Sequence, residues 1–107
     1  MSHLITAHRL DTRIKAGYRR DPIAHLQYRI GGGEPEIYAL LGARKLNAGA
    51  SGAAAGLNVS RAKFEAGLDL FCRRHVEGRE VFQEIVFFST VLAEWPFRAR
   101  SVYVHFS

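Results

Sequence analysis

Apolar and polar residues alternate in two runs near the N-terminus. In residues 10 to 18 (LDTRIKAGY), Leu10, Thr12, Ile14, Ala16 and Tyr18 face Asp11, Arg13, Lys15 and Gly17. In residues 24 to 30 (AHLQYRI), Ala24, Leu26, Tyr28 and Ile30 face His25, Gln27 and Arg29. A period of two is that of a half-buried strand, and Asp21-Pro22 between the runs marks a turn, so the pair predicts an antiparallel hairpin. Residues 98 to 106 (RARSVYVHF) repeat the pattern, with Val102, Val104 and Phe106 on one face, and predict a last strand.

Between these strands the period lengthens. Gly31-Gly32-Gly33 ends the second strand, and Glu34-Pro35-Glu36 reads as a helix start, with acids near the positive end of the dipole. Ile37, Leu40, Leu41 and Leu46 form its stripe, and Asn47-Ala48-Gly49 its stop. A strand over 37 to 41 is the alternative. Residues 61 to 75 form a better helix: Phe64, Leu68, Phe71 and His75 share a stripe, with Cys72 beside it. Ser60 stands at the N-cap, although Lys63 occupies the position of the acidic half of a capping box. Val81, Phe82, Ile85, Val86, Phe88, Leu92 and Trp95 fit a broad helical face over 79 to 95, ending at Pro96; a strand over 84 to 92 competes with it. Residues 50 to 57 make a weak helix, since Gly52 and Gly56 each cost about 1 kcal/mol relative to Ala. The expected fold is a single α+β domain over 1–107. Its short antiparallel sheet, the N-terminal hairpin plus the C-terminal strand, packs with three or four helices.

A length of 107 residues suits one domain, and an apolar share of 48% argues for a folded core. A lone cysteine, Cys72, excludes a disulfide framework within one chain. The N-terminus has no apolar run of signal-peptide length, and the stretch IVFFSTVLAEW is too short and too interrupted for a membrane span. A cytoplasmic protein with no membrane association is expected. The net charge of +5 favours an anionic partner. Its basic residues cluster as Arg9, Arg13, Lys15, Arg19 and Arg20; as Arg44, Lys45, Arg61 and Lys63; and as Arg73, Arg74 and Arg79, followed by Arg98 and Arg100.

The most specific stretch is AAAGLNVSRAKFEAGL, residues 53 to 68. A helix-turn-helix needs a small residue in its first helix, a turn residue that tolerates a left-handed backbone, and apolar anchors at fixed offsets. Ala54, Leu57, Asn58, Val59, Ser60 and Phe64 stand at such positions, and Asn58-Val59-Ser60-Arg61 looks much like the Gly-Val-Ser-Arg turns of the family. Residues 50 to 68 thus resemble the helix-turn-helix of bacterial and phage repressors. Gly67 departs from the pattern where a branched apolar residue is usual, and Glu65 and Asp69 bring negative charge to the DNA side. The alternative is a Gly/Ala-rich loop leading into one core helix.

The resemblance implies a small double-stranded-DNA-binding protein, a transcriptional regulator or mobile-element accessory protein, with the helix at 60 to 75 in the major groove. Ser60, Arg61 and Ala62 would face base edges and Lys63 a phosphate. Arg44 and Lys45 would touch the backbone, and the basic strand carrying Arg13, Lys15 and Arg19 would track adjacent phosphates. The apolar segment 79–95, with its paired Phe residues, would serve a homodimer. A second class of function is a small protein-interaction module that inhibits or modulates a nucleic-acid-handling complex through the basic face or a sheet edge. No catalytic set stands out, so no enzyme and no cofactor is expected. Cys72 and His75 have metal-like spacing but no further ligands in pattern, which favours a buried thiol. Tyr28, Tyr103 and His105 are candidates for an aromatic strand surface that would take single-stranded nucleic acid.

Overall fold

The computed structural model describes residues 2–9, 22–29, 36–41 and 55–106. The elements run β1 (Ser2–His8), β2 (Pro22–Arg29), α1 (Glu36–Leu41), β3 (Ala55–Ser60), α2 (Arg61–Val76), α3 (Phe82–Ala93) and β4 (Ser101–Phe106). The strands form one sheet in the order β2-β1-β4-β3, and each described pairing is antiparallel.

The α+β class and the antiparallel sheet are as expected, but three or four packed helices is corrected. Two full-length helices, α2 and α3, of 16 and 12 residues, carry the packing; α1 has only six residues. The segment assigned to a further helix instead supplies β3. The N-terminal pairing also differs, because β2 pairs with β1, a segment not assigned to a strand above. The expected strand over 10 to 18 lies outside the described residues. Residues 82–93 of the ambiguous segment are helical.

Alternation decides which face of the sheet is buried. Ile5, Ala7, Leu26, Val59, Val102, Val104 and Phe106 join one core with Phe64 and Phe71 of α2 and Phe87, Phe88 and Val91 of α3. Register aligns these residues across the strands: Ile5 opposes Leu26 and Phe106, and Val59 opposes Val102. The core centres on aromatic edges. The Phe64 ring lies 5.6 Å from Phe88 and 6.2 Å from Phe87, and Phe71 stacks on Phe88 at 5.6 Å.

Gly67 explains why this helix departs from the repressor pattern. A Cβ at Gly67 would lie 2.5 Å from the Phe88 ring, so the missing side chain lets α3 seat its aromatic against α2. Gly67→Ala gains helix propensity of about 1 kcal/mol but overpacks the interface. A net destabilisation of roughly 1–2 kcal/mol is expected in denaturant unfolding.

The turn between the helices is also built into the sequence. The Gly78 N–H donates to the His75 carbonyl and the Arg79 N–H to the Arg74 carbonyl, with Gly78 at φ 89°. This is the paired bonding of a Schellman motif, with glycine at its left-handed position.

Candidate nucleic-acid interface

The residues singled out at the start of α2 follow directly on an edge strand. Ala55–Ser60 is an edge strand, so Leu57, Asn58 and Val59 pair with β4 where a helix and turn were expected. Leu57 and Val59 turn into the core, and Asn58 opposes Tyr103. Neither Ala54 nor the rest of the expected first helix (50–54) lies among the described residues, and the same holds for Arg13, Lys15, Arg19, Arg44 and Lys45. What leads into the α2 helix is therefore a strand running straight into its N-cap.

Ser60 fills the N-cap role expected of it. Its backbone is extended at φ −72° and ψ 157°, and its Oγ accepts from the Lys63 N–H at 3.4 Å. Ser60→Ala should cost about 1 kcal/mol, read as a lower melting temperature with the fold unchanged. Arg61, Ala62 and Lys63 are exposed beyond the cap.

Register then brings distant cations to this point. Ser60 opposes Ser101, the last pair between β3 and β4, so Arg61 and Arg100 flank the same end of the sheet. The Arg61 guanidinium lies 5.6 Å from the centre of the Trp95 ring. Arg9, just past β1, donates from Nη2 to Glu94 Oε1 at 2.8 Å, directly before Trp95 in the chain. Arg98 is exposed, with its guanidinium 5.2 Å from the Phe97 ring centre. Arg9, Arg61, Arg98 and Arg100 thus gather round one loop, with Glu94 as the nearby acid; Lys63, two residues after Arg61 on the helix, faces another side of α2.

The local electrostatics are unusual for a purely structural surface. The N-terminal end of a helix carries partial positive charge and favours acids. The first turn of α3 supplies one, Glu84, but the first turn of α2 has none and carries Arg61 and Lys63 instead. Its last turn holds Arg73, Arg74 and His75, where the dipole does favour cations. Basic residues at the C-terminal end are thus favoured by the dipole, whereas at the N-terminal end Arg61 is offset by its place over the Trp95 ring.

Trp95 holds the loop in place. Its ring meets Phe64 edge-on at 5.7 Å, and its Nε1–H donates to the Ala99 carbonyl at 2.8 Å. In the sequence Trp95 is one residue of the apolar face over 79 to 95, and Arg98 and Arg100 are two more basic residues. Their convergence with Arg61 depends on the β3–β4 register.

Other candidate features change role. Phe87 and Phe88 are buried within the chain, so they do not form a dimer face; Phe82 and Val86 are the exposed apolar residues of α3. Cys72 is exposed, because it points about a quarter-turn away from Phe71 and off the buried stripe. His105 is buried and Tyr103 covers the space beside Gly56, which corrects the idea of an open stacking face there. Thr6 and His25 share a hydrogen bond on that same face, 3.1 Å from Oγ1 to Nδ1. Among the described residues no group of three potential ligands could hold a metal, and no helix is long and apolar enough to cross a membrane. The chain matches no protein-family model, no curated protein and no solved structure.

Proposed function

We propose that the protein binds nucleic acid through the end of the sheet where β3 passes into α2 and the Trp95–Arg100 loop leads into β4. The observation that carries this reading is the convergence of Arg61, Arg98 and Arg100, with Arg9 beside them, on one anchored loop. Guanidinium and ammonium groups at the rim of a rigid element are suited to phosphate contacts, which give affinity without reading sequence. Such a surface fits an accessory protein that holds nucleic acid better than a repressor that selects one operator.

The salt dependence of affinity tests the proposal. Arg9 is already paired with Glu94, which leaves Arg61, Arg98 and Arg100 for phosphates. Log affinity for a labelled oligonucleotide of mixed sequence should then fall with log salt at a slope of about −2 to −3. A flat dependence, or no retention at low salt, would count against it.

A second reading, the protein-interaction module, is favoured by a different part of the surface. Phe82 and Val86 lie one turn apart on α3 and are 73% and 44% exposed, and Val76 at the end of α2 is 86% exposed. Arg79 lines both shallow depressions at this corner, one with Val76 and one with Phe82. This corner carries Glu77 and Glu80 beside its arginines, so it lacks the one-sided charge of the sheet end.

A further inference from the structure

We infer that the nucleic acid held at this surface is single-stranded, with Phe97 as the platform on which an unpaired base stacks. The inference rests on the nucleic-acid reading above and adds the state of the strand to it.

Phe97 is 89% exposed, more than any other large apolar side chain among the described residues. It sits at the second position of a tight turn, closed by the Ala99 N–H donating to the Pro96 carbonyl at 3.0 Å. Trp95 fastens the same turn from behind through its bond to the Ala99 carbonyl, so the ring is held out on a fixed base. A single exposed phenyl ring is common on protein surfaces; what sets this one apart is the strained residue and the cation next to it in the same turn.

Arg98 follows at the third position with φ 62°, the only described residue other than glycine in the left-handed region. Glycine or asparagine is usual at a turn position of that kind, and arginine is strained there. Strain of this sort persists where a side chain is wanted at that place. Here it keeps a guanidinium beside the Phe97 ring, so that one base can meet an aromatic face and a cation together.

The surroundings favour a base over an apolar protein side chain. Protein interfaces place exposed aromatics in a core depleted of charge, whereas Phe97 is beside Arg98 and close in the chain to Arg100. In a duplex, every base face is already covered by its neighbours and Phe97 would find no partner without wedging a step apart. An unpaired strand offers both a free face and flexible phosphates.

The test is fluorescence anisotropy with a labelled single strand of about 12 nucleotides and the matching duplex, using the parent, Phe97→Ala and Phe97→Trp. The single strand should bind more tightly than the duplex. Phe97→Ala should weaken the single strand roughly 5- to 150-fold, with little change for the duplex, and Phe97→Trp should keep the affinity. Circular dichroism should show all three folded alike, since the ring is outside the core. Equal affinity for both forms, or a single strand indifferent to Phe97→Ala, overturns the inference while leaving phosphate binding intact. Failure of the parent to bind either form overturns the nucleic-acid reading itself.

Discussion

A protein in which Arg61, Arg98 and Arg100 are all alanine is expected to bind nucleic acid roughly 100-fold more weakly at 0.1 M salt, with its fold intact. Each replaced cation should also remove about 0.7 to 0.9 from the salt slope, so the three together should flatten it by about 2 to 3. The fold should tolerate the change because all three side chains are exposed, and Arg61 stands unfavourably at the positive end of α2. The control is Arg73, also exposed, whose Asp69 partner lies 3.2 Å away toward the other end of α2. Arg73→Ala should leave both affinity and slope nearly unchanged. If Arg73→Ala costs as much binding free energy as each of the three replaced arginines does on average, the charge acts as a diffuse field and the sheet end is not a site.

Phe64→Ala should have the largest effect on stability, about 3–5 kcal/mol in denaturant unfolding. Phe64 is fully buried and contacts Phe87, Phe88 and Trp95, so its loss leaves a cavity where both helices meet the 94–100 loop. A domain of this size unfolds with a few to some fifteen kcal/mol in hand, and the melting temperature should fall by roughly 12–20 °C. Binding should weaken too at temperatures where the variant is still folded, because Trp95 loses the edge contact that seats the loop. A variant that binds normally would mean that the loop is held by its own turn and the Trp95–Ala99 bond alone.

The parts of the fold that were legible owe this to patterns that tertiary packing reinforces. The stripe of Phe64, Leu68 and Phe71 announced α2, and Ser60 its first residue, because burial and capping act within one helix. In β4, Val102, Val104 and Phe106 alternate cleanly for the same reason: one face of that strand is the core. β3 was hidden. Ala55, Gly56 and Asn58 are poor strand formers, and only pairing with β4 and the burial of Val59 make the segment extended. The small residues that suggested a close helix crossing at 53 to 57 instead include Gly56, whose bare backbone leaves room for the Tyr103 ring.

The candidate site divides along the same line. Ser60, Arg61 and Lys63 were visible because one helix start holds all three. Arg98 and Arg100 are nearly forty residues away, and only the Ser60–Ser101 pair brings them alongside. The strain at Arg98 likewise depends on the turn closed by the Ala99–Pro96 bond and fastened by Trp95, which no spacing in the chain reveals.

The most direct measurement is an amide chemical-shift map of isotope-labelled protein titrated with a short single strand. The account predicts changes concentrated at Ser60–Phe64 and at Trp95–Ser101, with the far corner from Val76 to Val86 still. Changes centred on that corner, or spread evenly over every exposed cation, would contradict it.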